Sequence, residues 1–317
     1  MGSLRQSGSL RTPAVENAFR KVPRHLFTPP GVSPETAYRD EVVPLIPGLA
    51  TVSQPSIVAL MLEELGVGRG QRVLELGTAS GYNAALLAEL VGEPDLVYTV
   101  EIEPRLAALA GAALERAGYS GVHVRAGDGS FGYPEGAPFD RVIVTFEAGD
   151  LAAPLVEQIR AGGRYLAPFA VPGLPALLLR LDKKAPEQLA GSFVGIPVTF
   201  VPMRGEYGRR DAAGGQAEAR ALRAVRAAHD RAWLGEACLK LGQSMALGLV
   251  AVALAEGEPE SSPEEVAVEA WERVAAAGFP DMTDLRVRVE PRQGVRQGLV
   301  LARRDYSFVL ALPAGED

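Results

Sequence analysis

The sequence predicts an α/β fold: a mostly parallel sheet with helices on both faces, followed by a small α+β domain. Three observations predict it. Strand-like runs at residues 73–76, 97–100, 122–126 and 140–145 alternate with Ala- and Leu-rich stretches of helical period at 82–90 and 104–117, the β-α-β order of a parallel sheet. The first run passes through Gly77-Thr78-Ala79-Ser80-Gly81 straight into a helix, so backbone and unpaired helix N–H groups are brought close to any ligand there. The second and third runs end in Glu101 and in Gly127-Asp128-Gly129. Carboxylates therefore gather at the carboxyl ends of neighbouring strands, where such sheets form their ligand crevice.

The totals narrow the classes. With 317 residues, 47% of them hydrophobic, the chain can build one large core and a smaller unit. Nothing in it approaches the ~18 consecutive apolar residues of a membrane span, so no membrane partner is expected. Residues 1–13 are polar and basic, unlike a secretory signal, and are expected to be a disordered tail. The lone cysteine, Cys238, excludes an internal disulfide and suits a reducing, cytoplasmic setting. A net charge of −7 argues against a duplex nucleic-acid partner. His25, His123 and His229 are far apart, so no metal site is expected.

In chain order, Thr12-Pro13 supplies an N-cap and a first-turn proline for a helix over 14–22. Residues 23–29 break it, with His25 expected to pin that loop. A Pro- and Gly-dense stretch over 40–50 leads to Thr51-Val52-Ser53-Gln54-Pro55 and an amphipathic helix over 57–65. On the residues alone, Ser53 reads simply as a cap for that helix. Glu75, inside the first strand, sits where it can reach a cationic or amine group near the glycine turn. Glu101 follows that turn by about 20 residues, the spacing at which a carboxylate meets ribose hydroxyls. A helix over 151–159 ends at Ala161-Gly162-Gly163, and a fifth strand covers 164–168. Strands at 176–183 and 191–201 are expected as an antiparallel pair at the sheet edge. The catalytic unit is placed at 14–205 and a polar, glycine-rich linker at 206–216. A C-terminal α+β domain of unassigned role follows over 217–317, with a capped helix starting at Ser262-Pro263-Glu264-Glu265.

The pieces Val22-Pro23-Arg24-His25-Leu26-Phe27, Ala37-Tyr38-Arg39-Asp40, Thr51-Val52-Ser53-Gln54-Pro55, Val73-Leu74-Glu75-Leu76-Gly77, Ser80-Gly81-Tyr82, Gly127-Asp128-Gly129, Ala137-Pro138-Phe139-Asp140 and Phe200-Val201-Pro202-Met203 together resemble the protein-L-isoaspartate O-methyltransferase family. The Thr-x-Ser-Gln-Pro element is the discriminating one. The segment after Gly208 resembles the extra C-terminal domain of some thermophilic members. The resemblance implies a Rossmann-like methyltransferase sheet that uses S-adenosyl-L-methionine and releases S-adenosyl-L-homocysteine. It implies methylation of the free α-carboxylate of L-isoaspartyl residues in damaged proteins or peptides, which starts repair through a succinimide.

By the same resemblance Ser53 is the active-site serine. Thr51, Val52, Gln54 and Phe146 join it on the substrate side. Glu75, Gly77, Thr78, Ala79, Ser80, Gly81, Tyr82 and Asn83 would hold the methionine and sugar. Glu101 and Ile102 would bind the ribose, Gly127, Asp128 and Gly129 would flank the adenine, and Thr145 would form the pocket wall. Two departures stand out. Ala79 replaces a frequent glycine, and Thr145-Phe146-Glu147-Ala148-Gly149-Asp150 replaces a run of small residues near the substrate. Related activities follow from the same pattern: methylation of an aspartyl side chain in a ribosomally made peptide, or cofactor binding without turnover. A carboxylate nucleophile of pKa ~4 is already ionised at neutral pH, so the chemistry asks for positioning and not for a general base.

Overall fold

The structure, a computed structural model, describes residues 1–170, 175–194, 197–208, 250–251, 254, 262–278, 280, 282–291, 299–302 and 305–312. Helices α1 (Gly2–Gln6), α2 (Pro13–Lys21) and α3 (Pro34–Ala37) precede a hairpin of β1 (Val43–Ile46) and β2 (Ala50–Val52), and α4 (Pro55–Leu65) follows. The sheet then begins: β3 (Val73–Leu76), α5 (Tyr82–Val91), β4 (Val97–Glu101), α6 (Pro104–Arg116), β5 (His123–Ala126), β6 (Phe139–Val144), α7 (Ala153–Gln158) and β7 (Ile159–Phe169). Antiparallel β8 (Leu177–Ala185) and β9 (Gln188–Phe193) come next. After α8 (Pro263–Ala276) come β10 (Arg286–Pro291), β11 (Leu299–Ala302) and β12 (Tyr306–Ala311).

Ten strands form one sheet in the order β11-β12-β10-β9-β8-β7-β6-β3-β4-β5, with β5, β4, β3, β6 and β7 parallel. The chain winds outward from β3 to β5 and then returns to β6 on the other side of β3. The switch in direction therefore falls between β3 and β6, where a ligand crevice opens in such sheets. All four residues of β3 are buried, and its side chains alternate between two cores. Leu74 and Leu76 join the core that holds α7 and the C-terminal strands, whereas Val73 joins the one built from α2, α4 and α5. That alternation puts Glu75 on the α5 side.

The structure departs from the sequence reading in several places. The first thirteen residues are ordered, not a disordered tail. Leu4 and Leu10 are buried against the α2–α4 core, and the Arg11 and Thr12 amides both donate to Glu63 at 2.8 Å. Two leucines among polar neighbours are enough to seat the segment. Helix α7 stops at Gln158, and Gly162 and Gly163 lie inside β7. The β8–β9 pair is not the sheet edge, because β9 pairs on its other side with β10 (Val287 opposite Gly191, Val289 opposite Leu189). The described C-terminal strands thus continue the same sheet. The Thr12 cap and the Ser262/Glu265 capping box are present where expected. Most of the expected linker, the helical stretch at 217–255, Cys238 and His229 lie outside the described residues, although Val250, Ala251 and Leu254 are buried in the sheet core.

Candidate active site

At the switch between β3 and β6 the backbone closes tightly. The Thr145 hydroxyl donates to the Leu76 and Gly77 carbonyls (3.0 and 2.6 Å), and the Gly77 amide donates to the Val100 carbonyl at 2.8 Å. Gly77 has φ +99°, and a Cβ there would collide with Thr145 Oγ1, so glycine is required on both counts. Ala79, at φ +47°, is the only described non-glycine residue with positive φ, a conformation costing about 1–2 kcal/mol. The strain is held by a hydrogen bond from its amide to Glu101 Oε2 at 2.9 Å.

Two carboxylates lie under this turn. Glu101 is 4% exposed, and its other oxygen accepts from the Glu103 amide at 3.1 Å. Glu75 is fully buried, accepting from Thr99 Oγ1 at 2.6 Å and Asn83 Nδ2 at 2.8 Å, while the Thr78 hydroxyl meets Thr99 at 2.7 Å. Burial pushes the Glu75 carboxyl up to about 7. The Thr99 and Asn83 hydrogen bonds oppose that rise and the nearby Glu101 charge adds to it.

The turn opens on a cavity of about 710 Å³, within the range of small-ligand sites. Its inner wall is Glu75, Gly77, Thr78, Ala79, Ser80, Tyr82, Asn83, Glu101, Ile102 and Gly129. Its outer wall is residues 48–54 together with Thr145, Phe146, residues 197–202 and Arg204. Thr51, Val52, Ser53 and Gln54 therefore face the same space as the glycine turn, although more than twenty residues separate them in sequence. Ser53 is half-buried, and among the described residues its hydroxyl makes no hydrogen bond. Its reading as a helix cap fails: the N-cap of α4 is Gln54, which makes no side-chain cap.

The family model for protein-L-isoaspartate(D-aspartate) O-methyltransferase matches residues 1–208. The chain belongs to this family. It is 43% identical over 209 residues to the protein-L-isoaspartate O-methyltransferase of Aeropyrum pernix, covering 66% of this chain and 79% of that one. It is 44% identical over 214 residues to that of Staphylothermus marinus, covering 66% and 93%. Among solved structures, a protein-L-isoaspartate O-methyltransferase superposes with TM-score 0.67 at 22% identity, covering 97% of this chain and 96% of that one. A putative one from Plasmodium falciparum, in complex with S-adenosyl-L-homocysteine, gives 0.54 at 20% identity over 64% and 95%. At those identities the two structures speak for the fold.

Within this family framework, three residues expected at the cofactor do not line the cavity. Gly81 is the N-cap of α5 at φ +84°. Gly127 donates its amide to the Glu101 carbonyl at 2.8 Å. Asp128 accepts from the Ser130 amide at 2.9 Å and the Glu206 amide at 2.7 Å, so its carboxylate ties β5 to the 205–206 turn. Sequence reasoning missed the contribution of residues 197–202 and of Arg204, the only basic side chain on the cavity wall among the described residues. The Phe200-Val201-Pro202-Met203 motif was the available signal, but nothing local says that it folds back over the turn. Backbone bonds do that: the Glu147 amide donates to the Val201 carbonyl at 2.8 Å and the Met203 amide to the Glu147 carbonyl at 2.9 Å. His25 pairs with the Tyr38 hydroxyl at 3.0 Å, away from the cavity wall. No described helix is long and apolar enough to cross a membrane, and no described cluster of His, Cys, Asp and Glu could hold a metal.

Proposed function

We propose that the chain methylates the free α-carboxylate of L-isoaspartyl residues in damaged proteins, using S-adenosyl-L-methionine, and so starts their repair through a succinimide. The observation that carries this is the shared cavity: an uncommitted serine hydroxyl on one wall and paired buried carboxylates under a glycine turn on the other. The cofactor supplies a methyl group on a positively charged sulfur.

The residues suit such a group. A carboxylate accepts about four hydrogen bonds, and two positions on Glu101 are taken by the Ala79 and Glu103 amides, which leaves capacity for ribose hydroxyls. Ser80, Asn83 and the start of α5 offer donors, and Ile102 offers an apolar face. Glu101, with Glu75 adding charge to the extent that it ionises as pH rises through about 7, gives the inner wall a negative potential that favours a cationic donor.

The substrate carboxylate needs no base. Ser53 donates a hydrogen bond that fixes its direction, and holding two reactants in line supplies several kcal/mol of the barrier. A bond that tightens only as the transition state forms raises turnover, whereas uniform binding does not. Thr51, Val52, Gln54 and Phe146 form the surrounding surface. Residues 14–205 are the catalytic unit in this reading, and the single cysteine, Cys238, fits a reducing cytoplasmic setting.

The test pairs an isoaspartyl peptide with its aspartyl counterpart, using labelled cofactor. The isoaspartyl peptide is expected to be the substrate, and preference for plain Asp overturns the reading. Ser53→Ala is expected to lower turnover roughly 10- to 100-fold, the worth of one hydrogen bond to a charged group, with cofactor affinity unchanged. Loss of cofactor binding in that variant would contradict the role of Ser53.

A further inference from the structure

We propose that Arg24 and Asp40, neither of which reaches the reacting groups, are positioning residues that clamp the 53–56 segment and so aim the Ser53 hydroxyl at the substrate carboxylate. The inference rests on the reading of Ser53 given above.

Arg24 is 1% exposed and does not line the cavity. Its Nε donates to the Ala37 carbonyl at 2.7 Å, at the end of α3, and its Nη2 donates to the Ser53 carbonyl at 2.9 Å. Its guanidinium carbon lies 4.9 Å from the centre of the Tyr82 ring, on the first residue of α5 after the glycine turn. One planar fork thus spans α3, the serine segment and the cofactor helix. The peptide unit after Ser53 is planar, so a donor fixed on its carbonyl sets the direction in which Ser53 leaves the chain.

Asp40 holds the segment from the other side. Its carboxylate accepts from the Ser56 amide at 2.8 Å and from Gln54 Nε2 at 3.1 Å. Ser56 is the second residue of α4, so Asp40 caps that helix from sixteen positions upstream while the N-cap Gln54 makes no side-chain cap. A helix that needed only a cap could take it from a Ser or Asp at position 54. A cap reached from the loop instead fixes the helix start, and with it Ser53, to the 24–40 segment. Burying a guanidinium against the Tyr82 ring is likewise an expensive way to gain stability alone, since an apolar side chain of similar volume packs there at no charge-desolvation cost. What the charge adds is direction, through two carbonyls at once.

The test is a pair of double-variant cycles. Turnover on an isoaspartyl peptide at saturating cofactor is measured for Arg24→Lys and Asp40→Ala, each in the natural chain and with Ser53→Ala. Peptide KM, the Kd of S-adenosyl-L-homocysteine and the melting temperature are followed in each. In the natural chain Arg24→Lys is expected to lower kcat about tenfold and Asp40→Ala about threefold, with the Kd within about twofold. With Ser53→Ala already present, each should lower kcat by less than about twofold, because both act through the same hydroxyl. Equal penalties in the two backgrounds, as general destabilisation would give, overturn the clamp. So does an undiminished kcat in the natural chain. Should the lysine variant not fold, the exposed Asp40 carries the test by itself. A Ser53→Ala chain with full turnover would refute the reading of Ser53 and the clamp together, whereas a Ser53-dependent enzyme with additive cycles refutes the clamp alone.

Discussion

The two walls of the cavity are built by opposite means. The inner wall is a strand, a glycine turn and a helix start within eleven residues, Val73 to Asn83, joined by Glu101 from the next strand. It is buried, lined by two carboxyl groups and cross-bonded: Thr78, Thr99, Glu75 and Asn83 form one chain of hydrogen bonds, and Glu101 closes the turn through Ala79. The outer wall gathers residues 48–54, 145–146 and 197–204 from distant parts of the sequence, most of them irregular in backbone, and carries an exposed arginine. Under the proposed function, the difference teaches how a cofactor and a protein substrate would divide one cavity. A fixed small molecule would be met by the rigid local motif. A variable polypeptide would be met by loops whose geometry is imposed from outside. Substitutions on each wall should therefore fail differently.

The largest expected effect is on the stability of the inner wall. The Glu75 carboxyl is raised in the folded protein to about 7 from an ordinary 4.5, chiefly by burial. A folded pKa raised above the unfolded value means that the neutral acid stabilises the fold at low pH, and that this contribution is lost as pH rises through about 7. Between pH 5 and pH 8 the loss amounts to about 2–3 kcal/mol. Glu75→Gln, which cannot ionise, should escape it. Urea unfolding of the ligand-free protein at the two pH values is expected to show the natural chain losing that much more than the variant. Identical pH dependence in the two would mean that Glu75 is already ionised throughout.

A smaller effect separates cofactor binding, on the inner wall, from substrate binding, on the outer. Glu101→Ala removes a charged acceptor and frees the Ala79 amide, so cofactor affinity is expected to fall by roughly 1–3 kcal/mol, about 5- to 150-fold in Kd. Peptide KM should hardly move. A Kd for S-adenosyl-L-homocysteine within twofold of the natural protein would show that Glu101 serves only the turn. Measured beside Ser53→Ala, which should lower turnover and leave cofactor Kd unchanged, it asks whether the two walls are energetically separate.

How much of this was legible in the sequence follows the same division. The inner wall was readable because each part is local: Val73-Leu74-Glu75-Leu76 as a strand, Gly77 as a forced turn, Glu101 at the next strand end. Asp128 has a further tie that local reading does not show. It stands at a strand end like Glu101, and its carboxylate also accepts from the Glu206 amide, 78 residues on, a contact that no local pattern encodes. The outer wall was half legible. The motif containing Ser53 placed that residue, but the fold-back of residues 197–204 depends on backbone pairing with Glu147. The ordering of the first thirteen residues turned on two leucines finding a core built by α2 and α4, and the merging of the C-terminal strands into the sheet turned on β9 offering a free edge to β10. Hydrogen bonding between strands distant in sequence is generic, so periodicity locates strands and leaves their neighbours open.

The smallest effect probes the outer wall. Arg204 is exposed, lines the cavity and has no ion-pair partner among the described residues. A peptide carrying the reactive carboxylate is drawn toward such a cation, but in high dielectric the attraction is worth only about 0.5–1 kcal/mol and is screened by salt. Arg204→Ala is therefore expected to raise peptide KM about two- to fivefold at low ionic strength, with kcat and cofactor Kd unchanged. The difference from the natural protein should shrink as salt approaches about 0.5 M, where the screening length falls well below that of physiological buffer. A lowered kcat with unchanged KM would instead place the guanidinium on the reacting carboxylate in the transition state. Arg204 would then act on the outer wall beside Ser53 in the chemistry itself, and not only in drawing the peptide in.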